Sequence, residues 1–289
     1  MNPSSFHIFS YSKQVDYSVL SGGGFTIPTY LVPLLWEAMG MALKHGERIK
    51  ARIRIGEKVF EVQLINQAFD RNKYKNHPDV IQIRYSPSGE LSQYLRTIFH
   101  ESYFYIISEK EKRVGKTQVK VPEELAEEII FSITSIDNEF RLDCIPLKAR
   151  SVAMTQLSGY EELQFENMVD SIIENIPDQS ASISERSGIV RYRKINHDIN
   201  TTLKNLYDYR CQITGERTGE KYNTNVVEAH HIEYFTRSLN NDSSNIIIIN
   251  PSFHRIIHQC NPVFNINELQ FEFPNGVIEK LKLNKHLRS

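Results

Sequence analysis

The chain has 289 residues, 40% hydrophobic and 24% charged. That balance excludes a disordered or fibrous protein and allows two domains of ordinary size whose cores need no disulfides. Thirty-four basic and 35 acidic residues leave a net charge of −1, so any attraction to nucleic acid must come from segregated charge rather than the average.

Three widely spaced cysteines, Cys144, Cys211 and Cys260, form no C-x-x-C pair. They exclude a disulfide framework and a cysteine zinc knuckle, and read as reduced, mostly buried thiols. The opening MNPSSFHIFSYSK lacks the basic and apolar regions of a signal peptide. No window has the length of a membrane-spanning helix, so a cytoplasmic protein without a membrane partner is expected.

Residues 1–150 read as mixed α/β. GGG at 22–24 has no phosphate-loop lysine and reads as a turn. TYLVPLLWEAMGMALKHG (29–46) reads as an apolar helix with Pro33 in its first turn or at a kink. IKARIRIGEKVFEVQLI (49–65) alternates apolar and polar residues around Gly56-Glu57, a β-hairpin pattern. Within it, Glu61-Val62-Gln63 reads as half-exposed strand. The run Phe69, Arg71, Lys73, Tyr74, Lys75, His77 interleaves aromatic and basic residues and suits either nucleic-acid contact or a solvated loop. VIQIRYS (80–86) and SYFYIIS (102–108) are strand candidates, and PEELAEEII opens a helix expected over 122–132.

The character changes at residue 151. From Ser151 to Glu185 there is no lysine or arginine, while Glu161, Glu162, Glu166, Asp170, Glu174 and Asp178 accumulate. Leu163, Phe165, Met168, Val169, Ile172, Ile173 and Ile176 recur at helical spacing, so an amphipathic acidic helix is expected, followed by the linker DQSASISERSG. Arg186, Arg191, Arg193, Lys194, Lys204 and Arg210 then precede Cys211, and the tail KLKLNKHLRS is basic too. The expected organisation is α+β: an N-terminal recognition or regulatory domain (1–150), an acidic helical connector and linker (151–188) and a C-terminal domain (189–289).

The chemistry concentrates in that last domain. In VVEAHHIEYF (226–235) an extended backbone sends Glu228 and His230 to one face and His231 to the other. One imidazole can then hold a metal while its neighbour faces a substrate. NNDSS makes a turn-rich loop, Ile246 to Ile249 a short buried strand, and Asn250-Pro251 the N-cap and first position of a helix. On that helix His254 and His258 share one face at i and i+4, a bidentate metal pair that His230 completes from the strand. His231 is left as a general base, with an ordinary imidazole pKa near ~6.5.

The pattern E-x-H-H, an asparagine nine residues before H-x-x-x-H, and the paired histidines resemble the HNH, or ββα-metal, endonuclease superfamily, especially its colicin-type variety. It is carried by Glu228, His230, His231, Asn245, His254 and His258. CQITG after a basic stretch is similar to the lead-in of restriction-type bacterial members. The resemblance covers about a third of the chain.

It implies one divalent metal on His230, His254 and His258, with His231 activating water. Asn245 would brace the loop behind His231, and Glu228 would set the site's geometry or a neighbouring basic side chain. The implied reaction is hydrolysis of double-stranded DNA to a 5′-phosphate and a 3′-hydroxyl. Two features depart from the family pattern: the paired C-x-x-C motifs are missing, and His230 stands where an aspartate often precedes the base. An all-imidazole set favours Zn²⁺, Ni²⁺, Co²⁺ or Mn²⁺ over Mg²⁺ in affinity.

Backbone contacts to DNA are expected from Arg191, Arg193, Lys194 and Arg210, and from Arg71, Lys73 and Lys75. The reading is a restriction or defence enzyme with target choice in the N-terminal domain, acting as a homodimer on two-fold symmetric DNA. A homing or mobile-element endonuclease, a ligand-gated nuclease and a catalytically idle DNA-binding module are the alternatives.

Overall fold

On each side of Gly56-Glu57 the segment 49–65 alternates apolar with polar residues (Ile49, Ala51, Ile53, Ile55; then Phe60, Val62, Leu64), and a pleated strand turns that alternation into one buried face. The computed structural model describes residues 8–112, 119–157, 161–170 and 187–287. It divides into two compact units, 1–151 and 152–289.

In the first unit β1 (Ser10–Gln14), the one-turn α1 (Tyr17–Leu20) and β2 (Gly24–Thr26) lead to α2 (Val32–Met39). Pro33 lies in the first turn of α2 as expected, but the helix stops at Gly40 (φ 65°) and does not run to residue 46. β3 (Arg48–Ile55) and β4 (Lys58–Asn66) form the expected hairpin, paired Ala51 to Val62 and Ile53 to Phe60. Gly56 at its turn has φ 58°, which suits glycine in the first position of a two-residue hairpin loop. Ala51, Ile53, Ile55, Val62 and Leu64 are buried; each Ile or Leu among them contributes about 1.5–3 kcal/mol on transfer from water.

β5 (Ile81–Arg84), α3 (Glu90–Ile98), α4 (His100–Glu111), β6 (Glu128–Ile133) and β7 (Glu139–Ile145) complete the unit. Helix α5 (Leu147–Leu157) follows β7. Among the described residues the seven strands form one sheet in the order β1-β6-β7-β3-β4-β5-β2, with β3 and β7 parallel and the other pairs antiparallel.

Two expectations are overturned here. SYFYIIS is helix, not strand. Its aromatic and β-branched residues favour a strand locally, but Ser102 and Ile106 are the buried positions, one helical turn apart, and Glu127 accepts the Ser102 backbone N–H near the helix start. Residues 122–132 are not helix. The acidic start makes a single 3-10 turn (Glu123–Leu125), and Ile129, Ile130 and Phe131 form an inner strand buried on both faces.

In the second unit α6 (Glu162–Asp170) is followed by α7 (Ser187–Leu206), which buries Tyr192, Ile195, Ile199 and Leu203 at helical spacing. Residues 171–186, with Ile172, Ile173, Ile176 and most of the expected linker, lie outside the described residues. α6 belongs to the same unit as the histidine-rich segment, although the sequence reading assigns it to a connector.

Strand β8 (Glu228–His231) runs antiparallel to β9 (Ile246–Ile249), pairing His230 with Ile247 and His231 with Ile246. The one-turn α8 (Phe235–Ser238) lies between them, and α9 (Pro251–Cys260) follows. Asn250 caps α9 by accepting the Phe253 N–H at 2.9 Å, with Pro251 in the first turn. A small antiparallel sheet, β10 (Val263–Asn265), β11 (Gln270–Glu272) and β12 (Ile278–Lys280), closes the unit. Its core joins Cys211, Ile213, Ile247, Ile249, Ile257 and Phe271. Of the thiols Cys211 is buried, Cys144 half-buried and Cys260 exposed, so the expectation of mostly buried thiols holds for Cys211 alone.

The whole is a mixed α and β protein, and no described helix is long and apolar enough to cross a membrane.

Candidate metal centre

Strand β8 and helix α9 bring four imidazoles together. Ring centroids of His230 lie 5.3 Å from His254 and 4.8 Å from His258, and the latter two are 4.8 Å apart. His254 and His258 present Nε2 atoms 3.2 Å from each other. Tetrahedral coordination with bonds of about 2.0–2.1 Å spaces its donors by about 3.3 Å, so this separation fits one ion. His254 is oriented by Glu228, whose Oε2 accepts from its Nδ1 at 2.5 Å and so turns Nε2 inward. Glu228 therefore orients His254, a ligand candidate.

Asn245 closes the loop between the strands. Its Oδ1 accepts the Glu233 N–H at 2.7 Å, and its Nδ2 donates to the carbonyls of Glu233 (2.8 Å) and Asn240 (3.1 Å). The loop carrying His231 into α8 is thus held from one side chain.

Helix α6 adds two carboxylates that sequence reasoning missed. Glu166 Oε2 accepts from His254 Nε2 at 2.7 Å and from His258 Nε2 at 2.8 Å. Its Oε1 accepts from the His231 backbone N–H at 3.0 Å and from His231 Nδ1 at 3.2 Å. One turn earlier, Glu162 accepts the N–H groups of Phe235 and Thr236, both at 2.8 Å, and lies 3.4 Å from His231 Nδ1. Both carboxylates are buried.

The signal lay in the spacing. Residues 162, 165, 166 and 169 are the buried stripe of α6, so two glutamates occupy its apolar face, and buried carboxylates demand partners. The competing run of apolar residues around them made the segment read as an ordinary acidic amphipathic helix.

The electrostatics follow from these contacts. Burial alone would push the Glu166 carboxyl up; the surrounding imidazoles outweigh it and hold the group well below the usual carboxylate range. Burial pulls His231 and His254 down, but Glu162 and Glu166 on one side, and Glu166 and Glu228 on the other, push each up to about 9. His231 is therefore not the ordinary imidazole expected from the sequence. It is buried and carries its proton at neutral pH in this arrangement. Burial lowers His230, more than Glu166 raises it. His230 Nδ1 is buried without a hydrogen-bond partner, 3.8 Å from Glu166 Oε1, an ion-pair separation beyond hydrogen bonding.

That unpartnered nitrogen faces the cluster, and donor atoms of Glu166, His230, His254 and His258 all lie within 4.8 Å of one another. The group suits a divalent ion taking nitrogen and oxygen donors.

The expected DNA contacts are scattered. Arg71 pairs with Asp79 and stacks 4.9 Å above the Phe69 ring, Lys73 sits 5.3 Å above the Tyr74 ring, and Lys75 is exposed, all in the first unit. In the second unit Arg210 lies 3.8 Å from Asp208, and Lys194 is half-buried on α7. Arg191 and Arg193 also fall on α7, with side chains outside the described residues.

Compared with known proteins, the chain matches no family model, no curated protein and no solved structure.

Proposed function

We propose that the chain is a metal-dependent DNA endonuclease of the ββα-metal type, with its centre on β8, β9 and α9. The supporting observation is the convergence of His230 from the strand with His254 and His258 from the helix, beside a second strand histidine. A chance pair of histidines has no reason to meet a third, buried and unpartnered, with a loop-bracing asparagine behind it.

In this reading His230, His254 and His258 hold one divalent ion, which when bound supplies positive charge to the scissile phosphate and the departing oxygen. His231 Nδ1 takes a proton from the attacking water as the water oxygen bonds to phosphorus. The bond from phosphorus to the 3′ oxygen breaks, leaving a 5′-phosphate, and the 3′ oxygen takes a proton from solvent water to become the hydroxyl. His231 can do this only while its Nδ1 is clear of Glu162 and Glu166. Asn245 holds the β8–α8 loop, and Glu228 keeps His254 in the tautomer that points Nε2 at the ion. The first unit supplies target choice, which suits a restriction or defence enzyme acting on double-stranded DNA as a dimer.

Plasmid cleavage tests this directly. Purified full-length protein is incubated with Mg²⁺, Mn²⁺, Co²⁺, Ni²⁺, Zn²⁺ or EDTA, on modified and unmodified DNA, beside His231→Ala. Metal-dependent cutting, reduced about 10²–10⁴-fold in the variant while metal binding persists, is the expected result. Wild-type protein that cuts no DNA under any of these conditions, or cutting that His231→Ala leaves unchanged, overturns the reading.

A further inference from the structure

The candidate donor set described above has four members, not three. Structural metal sites are closed by four protein donors, whereas catalytic ones keep a position for water or substrate. Here the fourth donor comes from outside the hairpin. Glu166 on α6 places one carboxylate oxygen against both His254 and His258 and the other against His231.

A phosphodiester bound for hydrolysis must meet the same two partners at once: the ion between the imidazoles and the base beside it. A carboxylate is a small anion with two oxygens, so it can mimic that contact. Glu162 and Phe165 fasten the helix that delivers it. Glu162 accepts two α8 backbone N–H groups, and Phe165 stacks on Phe235 at 5.2 Å with rings 19° apart. With α6 in place, His230, His231 and His254 are buried.

We propose that Glu166 is a fourth, displaceable metal ligand that occupies the substrate phosphate's position, so that the resting protein is latent until DNA displaces that carboxylate and α6 withdraws. This rests on the metal-centre reading above. α6 is nine residues long, and its hydrogen bonds to the hairpin come from two carboxylates, with one aromatic stack beside them. A polyanion such as DNA competes for the same donors.

Cobalt provides a readout that needs no cleavage, since four-coordinate Co²⁺ absorbs more strongly in the visible than five- or six-coordinate Co²⁺. The full chain is titrated with Co²⁺ and then with inorganic phosphate, beside Glu166→Ala, Glu166→Gln and Phe165→Ala. The wild type is expected to give a four-coordinate spectrum that phosphate leaves unchanged. The Glu166 variants should bind Co²⁺ about tenfold or more weakly, and phosphate should then change the spectrum. Phe165→Ala keeps every ligand and loosens only the helix, so it should bind Co²⁺ and admit phosphate even if the Glu166 variants fail to fold.

Wild-type spectra that respond to phosphate as the variants do overturn the proposal and leave the nuclease reading standing. Unchanged affinity in folded Glu166 variants, or exclusion of phosphate by all the variants, does the same. Failure of every protein to bind Co²⁺ overturns the metal-centre reading itself.

Discussion

Among the described residues each unit buries two glutamates; Glu162, like Glu127, accepts backbone N–H groups, and it is the partners of Glu139 and Glu166 that differ in kind. In the first unit Glu127 accepts the backbone N–H groups of Ser102 and Leu147, near the starts of two helices, at 3.1 and 2.9 Å. Glu139 is held by the Arg54 guanidinium at 2.7 and 3.3 Å, with Arg52 at 3.6 Å. Backbone amides and arginines keep one protonation state at any ordinary pH, so those charges are architectural. In the second unit Glu166 is surrounded by imidazoles, side chains that can gain or lose a proton and bind metals. A buried carboxylate compensated by changeable partners marks a site; one compensated by fixed partners marks a joint.

The largest expected effect breaks the joint. Replacing Arg52 and Arg54 together by alanine leaves Glu139 buried without either guanidinium, a situation that costs about 3–5 kcal/mol. Urea unfolding should show the loss in the first unit, while metal binding in the second stays unchanged. A loss below about 1 kcal/mol would mean that Glu139 finds water or a proton easily, and the contrast between the units would fade.

Metal should act on the other side of the comparison only. An ion that binds the folded centre at a free concentration of 100 times its Kd stabilises by about 2.7 kcal/mol. Hydrogen exchange read peptide by peptide should show slower exchange in β8, β9 and α9 on adding Zn²⁺, reversed by EDTA, with no change in β3 or β4. Equal protection of both units would remove the distinction between site and joint.

The two kinds of region also differed in how much the sequence disclosed. The 49–65 hairpin was legible because alternation is a local signal that tertiary packing does not have to reinterpret. The β8–β9–α9 arrangement was legible because Asn250-Pro251 fixes where the helix begins and His254 and His258 then share a face. The segment 102–108 was misread because aromatic and β-branched composition favours a strand, while the helix is selected by what Ser102 and Ile106 pack against. Glu162 and Glu166 read as part of an amphipathic acidic helix. Their spacing with Phe165 and Val169 places them on the buried stripe, but no residue within the helix states which segment that stripe meets. The chain around a site can thus be read locally, but a ligand delivered from a distant segment cannot.

Asn245 offers a sharper cut within the second unit. Alanine there removes three hydrogen bonds and leaves the Glu233 N–H and two carbonyls to find other partners. The expected cost is about 1–3 kcal/mol of unfolding free energy. Because the loop leads from His231 into α8, cleavage should fall further than stability accounts for at a temperature where the variant is fully folded. Activity that simply tracks the folded fraction would reduce Asn245 to a structural brace.

The smallest effect concerns a histidine of the second unit that belongs to its architecture. His286 is buried; its Nδ1 accepts from the Tyr207 hydroxyl at 2.6 Å and its Nε2–H donates to the Ile246 carbonyl at 2.8 Å. Both bonds use the neutral ring, and burial lowers its pKa from the ordinary 6.5, against the smaller upward pull of nearby carbonyls. The unfolded chain therefore takes up this proton more readily than the folded one, and the stabilisation present above about pH 6.5 is lost as the pH falls below it. His286→Gln should cost stability at pH 8, and the gap from wild type should narrow toward pH 5. The other histidines titrate in both proteins, so the difference isolates this one. A gap that widens on acidification would mean that His286 gains from its charge as His231 does, and that it does not serve only as a joint.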